Sequence, residues 1–157
     1  MRIREILEDD RILLEVENGT KEEILSALAE PLSRKRHDID HAKLASVLVE
    51  REQASSTAIA DGIAIPHGRM PIGDEVLCTF GRNVCGVDFD SVDGQPTRLF
   101  FMLVSPMDGP SLHVRWLGHI AGLLKNPALR KSLVDATSRS EILEILASEE
   151  EAQGKAS

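Results

Sequence analysis

The 157-residue chain has few of the features that mark secreted or membrane-spanning proteins. Its two cysteines, Cys78 and Cys85, are too few for a disulfide framework, so we expect reduced thiols in a cytoplasmic protein. No apolar run approaches the roughly 20 residues of a membrane span. The first residues mix charges where a signal peptide would have an apolar core. These absences predict a cytoplasmic protein with no membrane partner.

Aromatic residues and positive charge are also scarce. The chain has four phenylalanines, one tryptophan and no tyrosine, so it lacks the stacking side chains of single-stranded nucleic-acid binders. Eighteen basic residues against 26 acidic ones give a net charge of −8. Because duplex binders neutralise phosphates with cationic side chains, we expect no nucleic-acid partner.

The remaining composition and the hydrophobic pattern are typical of one globular domain. Hydrophobic residues make up 42% of a chain of ordinary single-domain length, which is enough for one core. Helical and strand-like segments alternate, so the pattern predicts an α/β domain over residues 1–147. The acidic residues 148–157 are expected to be a disordered tail.

Capping signals and apolar periodicity place the expected elements. The expected strands are 12–16, one or two short strands within 56–70, 76–80 and 99–104, the last being apolar on both faces. The expected helices begin at Thr20, Asp40, about Ser111, Asn126 and Ser138. Pro31 predicts early fraying of the first helix, and the basic residues 34–37 are expected to form a loop.

Arg51 lies on the side of the second helix that otherwise faces the core. At about 100° per residue it shares one narrow arc with Leu44, Val47 and Leu48. One interpretation is that its side chain reaches outward from the last turn, where the helix dipole favours a cation. The other is that it stands at the rim of a cavity, where its charge requires an anion.

His113 has a similar position at the start of the third helix. It lies in an apolar arc with Leu112, Trp116 and Ile120, within the first turn and near unpaired N–H groups. The positive end of the helix dipole favours a neutral ring unless an anion compensates. Both a core histidine with satisfied hydrogen bonds and a site histidine fit this position.

His67 lies in the segment GIAIPHGR, residues 62–69. Pro66 fixes its own φ and favours an extended residue before it, so the chain is stiff where it reaches His67. Gly68 is expected to leave room for a large group beside the ring, and Arg69 adds a cation. A Pro-His-Gly turn without function is the alternative.

Several established catalytic and phosphate-binding motifs are absent from the sequence. It has no GxxxxGK loop and no Gly-x-Ser-x-Gly elbow, and His37 and His41 lack the partners of a metal site, so no metal or cofactor is expected. A neutral imidazole can itself attack phosphorus to give a labile N–P bond. A second imidazole and an arginine can stabilise the transferred oxygens. His67, His113 and Arg51 are the candidates for these roles.

Residues 49–52 (VERE) and 56–69 (STAIADGIAIPHGR) closely resemble the signature of enzyme IIA of the fructose/mannitol type in the bacterial phosphoenolpyruvate-dependent phosphotransferase system. Residues 86–96 (GVDFDSVDGQP) and 111–113 (SLH) resemble the nitrogen-regulatory branch of that family. The resemblance extends from about residue 3 to residue 147, nearly the whole chain.

The resemblance implies a single domain with a mixed β-sheet covered by helices on both sides. It implies that His67 is the phosphorylated nucleophile, which accepts its phosphoryl group from an HPr-type phosphocarrier. His113 would donate a hydrogen bond to the phosphoryl oxygens, and Arg51 would orient and neutralise them. Arg69 falls on the motif, with no role assigned beyond its local field.

The implied function is that of a phosphotransferase component whose phosphorylation state acts on regulated target proteins. The chain length leaves little room for a transport domain or a IIB module beside this one. One alternative is a sugar-specific enzyme IIA that passes the phosphoryl group to a IIB domain. The other is a non-catalytic protein-binding module with a vestigial histidine.

Overall fold

The computed structural model describes the backbone of residues 1–156 and the side chains of residues 1–154. The five strands within this range are β1 (Ile12–Leu13), β2 (Ile63–Ala64), β3 (His67–Met70), β4 (Leu77–Val87) and β5 (Thr97–Pro106). The five α-helices are α1 (Lys21–Lys35), α2 (His41–Ala54), α3 (Pro110–Leu123), α4 (Pro127–Asp135) and α5 (Arg139–Ala156). None of the described helices has the length and hydropathy needed to cross a bilayer.

The strands form one mixed sheet built around β4 and β5. These two strands are antiparallel, while β1 is parallel to β4, and both β2 and β3 are parallel to β5. The order is β1-β4-β5-β2, with β3 also paired to β5. β2 and β3 therefore follow one another along the same edge of the sheet.

Side chains alternate along β5 between two hydrophobic cores. Phe101 and Leu103 pack with α3, α4 and α5, whereas Phe100 and Met102 pack with α1 and α2. Because successive strand residues point to opposite faces, each helix layer covers one face of β5. The predicted fold class, a mixed sheet covered by helices on both sides, is confirmed.

The first two helices begin at the predicted caps. The Thr20 hydroxyl accepts from the Glu23 N–H at 3.2 Å, and the Glu23 carboxylate accepts from the Thr20 N–H at 3.0 Å. Asp40 accepts from the Lys43 N–H at 3.2 Å. The predicted fraying at Pro31 is wrong: α1 continues to Lys35, because burial of its inner face outweighs the missing N–H. Two residues of the expected basic loop are consequently helical.

Strand lengths depart furthest from the sequence pattern. β1 has two residues where five were expected, and β4 continues to Val87 rather than ending near Phe80. The extra length of β4 comes from its pairing with β5, in which Val87 is opposite Thr97. Such pairing depends on residues distant in the chain, so local alternation does not indicate it.

The acidic segment 148–157, expected to be disordered, is helical as far as the structure describes it. α5 runs to Ala156, and residue 157 lies outside the described part of the chain. The Glu150 carboxylate accepts from the Ile3 N–H at 2.7 Å and lies 2.5 Å from His119 Nε2. These contacts to distant residues stabilise the end of the helix, and composition alone does not indicate them.

Candidate active site

His67 begins β3, at the edge of the sheet, and its ring is partly exposed. Its Nδ1 lies 2.8 Å from the Ile65 carbonyl oxygen. Because a carbonyl can only accept, Nδ1 carries the proton and donates it to this bond. Nε2 of the neutral ring therefore keeps its lone pair, which is the form of imidazole that can act as a nucleophile.

Gly68 has a different role from the one expected. A Cβ at this position would stand 2.7 Å from Val47 Cγ1 on α2. The absent side chain therefore allows β3 to pack closely against α2, on the face opposite His67, and does not make room beside the imidazole. The expectation that Gly68 opens space for a ligand is wrong.

Arg51 reaches the site from the last turn of α2. Its Nε donates to His67 Nε2 at 3.2 Å, and its Nη1 donates to the Ser55 carbonyl oxygen at 2.9 Å. The guanidinium thus stands at the edge of the sheet, beside the nitrogen that holds the lone pair. The role of Arg51 as a cation that faces an anion stays a prediction.

His113 approaches from the opposite helix layer, in the first turn of α3. Its ring centroid lies 5.2 Å from that of His67, with the rings tilted by 55°. Its Nδ1 lies 2.7 Å from the Ser105 hydroxyl, and both residues are buried. The structure thus brings together all three predicted site residues at one edge of the sheet.

Both imidazoles are neutral at pH 7. Burial lowers the pKa of His67 below its usual 6.5, the Ile65 carbonyl opposes this effect, and the Arg51 charge lowers the pKa further. Burial, repulsion from His67 when that ring is protonated, and the charges of Arg69 and Arg51 lower the pKa of His113 to about 4. Because both rings are neutral, the positive charge beside them is that of the Arg51 guanidinium, which can bind an anion.

A buried carboxylate that the sequence analysis did not single out supports the arginine. Glu52 accepts from the Thr57 N–H at 3.0 Å, from the Thr57 hydroxyl at 2.5 Å and from Lys21 Nζ at 3.0 Å. The same ammonium pairs with Asp90 at 3.0 Å. These contacts stabilise the loop that follows α2. The same loop provides the Ser55 carbonyl to which Arg51 donates. The sequence does contain a signal for this residue. Glu52 follows Leu44 and Leu48 at intervals of four, which places it on the buried side of α2.

The remaining candidates lie beside the site or away from it. Arg69 is exposed, and its Nη1 lies 3.5 Å from the Met107 carbonyl oxygen, at the loop before α3. Cys78 and Cys85 are free, and burial raises the pKa of the Cys78 thiol to about 12, so this thiol is unreactive. Among the described residues no cluster of three or more histidine, cysteine or acidic side chains is arranged to hold a metal.

Fold and site together define an α/β domain that presents a neutral imidazole, an arginine and a second imidazole at an open sheet edge, an arrangement suited to a phosphoryl group. Residues 5–149 match the family model described as phosphoenolpyruvate-dependent sugar phosphotransferase system, EIIA 2. The match covers almost the whole chain, and the protein belongs to this family.

Similar proteins come from two groups within the family. The chain is 33% identical over 146 residues to the fructose-specific EIIABC component of Bacillus subtilis, covering 93% of this chain but only 23% of that protein. It is 31% identical over 147 residues to a nitrogen regulatory protein of Bradyrhizobium diazoefficiens, covering 94% of this chain and 95% of that one. The chain therefore spans about a quarter of the Bacillus protein and nearly all of the Bradyrhizobium protein.

A solved structure confirms the fold. The nitrogen regulatory protein IIA-Ntr from Neisseria meningitidis superposes with a TM-score of 0.85 at 33% identity, covering 92% of this chain and 98% of that chain. The predictions of the enzyme IIA family and of its nitrogen-regulatory type are confirmed. The protein is a phosphotransferase-system component with regulatory relatives.

Proposed function

We propose that His67 Nε2 accepts a phosphoryl group from the phosphohistidine of an HPr-type carrier. The observation that carries this proposal is the hydrogen bond from His67 Nδ1 to the Ile65 carbonyl, which leaves the lone pair on Nε2. The adjacent Arg51 and the family membership support it. The carbonyl bond also keeps the ring oriented during transfer.

The transfer exchanges one N–P bond for another. The lone pair of His67 Nε2 attacks phosphorus as the donor's N–P bond breaks, and that electron pair returns to the donor imidazole. His67 keeps its proton on Nδ1, so its phosphorylated ring is positively charged; the donor ring, protonated on its other nitrogen, gives up that charge and leaves as neutral imidazole, and no proton acceptor is required. Since both bonds are of one chemical kind, the reaction is readily reversible, as a carrier requires.

Arg51 and His113 stabilise the oxygens of the transferred group. In the free protein Arg51 Nε donates to the lone pair that phosphorus will occupy, so this N–H becomes available to a phosphoryl oxygen. Arginine is well suited to this role because its fixed fork makes strong bonds to phosphate oxygens. His113, a neutral ring 5.2 Å from His67, supplies a further donor from the opposite side.

We infer a regulatory output, in which target proteins distinguish the phosphorylated from the unphosphorylated form. The relatives named nitrogen regulatory protein match this chain over almost their whole length, which supports this output. Two unpaired thiols support a cytoplasmic location.

Intact mass spectrometry tests the carrier chemistry directly. The protein is incubated with phosphoenolpyruvate, enzyme I and a phosphorylated HPr-type carrier, with His67→Ala in parallel. We expect the wild type to gain one acid-labile phosphoryl group and the variant to gain none. Phosphorylation of His67→Ala would refute the assignment, and no gain by the wild type would favour the non-catalytic binding module.

Loss of the second imidazole should slow transfer without unfolding the protein. Removing one preorganised donor to developing charge commonly costs about 10²–10³ in rate, so we expect a loss of this order in His113→Ala. Rapid-quench kinetics with pre-phosphorylated carrier measure the loss, and circular dichroism checks the fold. Equal rates for wild type and His113→Ala would remove His113 from the mechanism.

A second candidate, transfer to a IIB domain for sugar uptake, is supported by the 33% identity to the fructose-specific protein of Bacillus subtilis. Mixing the phosphorylated protein with purified IIB domains of the fructose and mannitol types distinguishes the two functions. Rapid loss of the phosphoryl group to one IIB domain would favour sugar uptake, and retention would favour the regulatory output.

A further inference from the structure

The apolar row of β5 that faces α3 ends in a buried hydroxyl. Phe101 and Leu103 belong to this row and are fully buried, and the next residue on the same face is Ser105, also fully buried. A polar group at such a position is costly unless it is hydrogen bonded. Among the described residues its hydroxyl has one partner, Nδ1 of His113, at 2.7 Å.

The direction of this hydrogen bond follows from the hydroxyl's surroundings. If Ser105 accepted a proton from Nδ1, its own hydrogen would have no acceptor among the described residues, in a position closed to water. Buried donors are rarely left unpaired, and among the described residues the hydroxyls of Thr79 and Thr97 are the buried exceptions. The hydroxyl therefore donates, and Nδ1 of His113 is the acceptor.

The proton of His113 is thereby assigned to its other nitrogen. The pKa of His113, about 4, leaves the ring with one proton at neutral pH. With Nδ1 accepting from Ser105, that proton is on Nε2. His67 has the reverse arrangement, because its Nδ1 donates to a carbonyl and its Nε2 is the acceptor. One ring thus presents a lone pair and the other presents an N–H.

We propose that Ser105 is a positioning residue, which holds His113 in the tautomer and orientation that let Nε2–H donate to a phosphoryl group on His67. The proposal rests on the proposed function of His67 as the phosphoryl acceptor. Ser105 does not itself touch the reacting atoms. Without its hydroxyl, His113 can place its proton on Nδ1 and direct a lone pair at the phosphoryl oxygens, which would repel them.

Nitrogen-15 NMR of the histidine rings tests the tautomer without any phosphoryl transfer. In the wild-type protein at pH 7 we expect His113 Nε2 to be protonated and Nδ1 to be unprotonated and hydrogen bonded. In Ser105→Ala we expect signals of the second tautomer, and in Ser105→Thr, which keeps a hydroxyl, the wild-type pattern. A proton on Nδ1 of His113 in the wild type would overturn the proposal outright, whether or not any variant folds.

Transfer kinetics provide the second readout. We expect Ser105→Ala to lower kcat for phosphoryl uptake about tenfold, the lower end of the loss that follows removal of a hydrogen-bond partner from a metal-bound histidine, with the KM for the phosphorylated carrier unchanged. Ser105→Thr should restore most of the rate. An unchanged kcat in Ser105→Ala, or a loss that appears only in KM, would contradict the assigned role.

Thr79 offers a matched control for the removal of a buried hydroxyl. It lies on β4, is fully buried, and its hydroxyl has no partner among the described residues. We expect Thr79→Val to leave both the His113 tautomer and kcat unchanged. An equal loss in Thr79→Val and Ser105→Ala would mean that Ser105 acts only through stability. If the wild type takes up no phosphoryl group, the proposed function fails, while the NMR result still decides the tautomer.

Discussion

His67 and His113 have the same side chain but different partners at Nδ1. A carbonyl oxygen can only accept, so it fixes a proton on Nδ1 of His67, while a buried serine hydroxyl donates to Nδ1 of His113. The two rings therefore differ in what they offer at Nε2. The sequence indicated both histidines as candidates, but their hydrogen-bond partners follow only from the folded backbone.

Phosphoryl uptake should vary little with pH between about pH 7 and 8 and should fall in more acidic solution. Burial lowers the pKa of His67 below 6.5, so the nucleophilic neutral ring predominates over this whole range. Protonation below that pKa would occupy the lone pair of Nε2. Initial rates with saturating, pre-phosphorylated carrier give the profile, and an NMR titration of His67 gives the pKa. A pKa of His67 above 6.5 would contradict the expectation.

The helix starts were predictable because their signals are local. Thr20 and Glu23 are three residues apart and cap each other, as the pattern indicates. The length of β4 and the order of the end of α5 depend on pairing with distant residues, and both were predicted wrongly. Local sequence reports what a segment prefers, whereas tertiary contacts decide how far each element extends.

Gly68 shows how close packing between elements fixes the site. We expect Gly68→Ala to destabilise the protein by about 1–3 kcal/mol, since its Cβ would stand 2.7 Å from Val47 Cγ1 and force β3 away from α2. Phosphoryl uptake should slow as well, because Arg51 and His67 lie on these two elements. Urea unfolding and initial rates measure both effects.

Truncation of the opposing side chain provides the control for this prediction. The double variant Val47→Ala/Gly68→Ala should recover a large part of the stability and rate lost in Gly68→Ala, because the clash is relieved. Val47→Ala alone gives the cost of the smaller side chain. If the double variant loses the sum of the two single effects, the contact with Val47 does not explain the glycine.

At the scale of the whole molecule, the site joins segments that are far apart in the chain. Arg51 comes from the helix layer on one face of the sheet, His113 from the layer on the other, and His67 from the edge strand between them. The sequence pattern alone gave three unusual residues in three separate elements. Only the family resemblance implied that these three residues lie close together, because helical and strand periodicity do not relate residues on opposite faces of a β-sheet.

Glu150, near the end of α5, hydrogen bonds to the backbone of Ile3 near the start of the chain, and its loss should lower the stability of the fold. Glu150→Ala removes the acceptor of the Ile3 N–H and of His119, so we expect a loss of about 1–3 kcal/mol in the free energy of unfolding. Glu151→Ala, the neighbouring exposed position on α5, is the matched control and should have little effect. Equal urea midpoints for the two variants would show that the Glu150 contacts do not stabilise the fold.

The position of His67 on an edge strand determines how partner proteins reach its imidazole. The imidazole is partly open to solvent, and β3 pairs only with β5 among the described strands. With the proposed function, donor and acceptor proteins therefore approach the same nitrogen by the same route, one after the other. With that function, the lifetime of the phosphorylated form depends on which partner is more abundant, so the phosphorylated fraction of the protein reports the balance between supply of phosphoryl groups and demand for them.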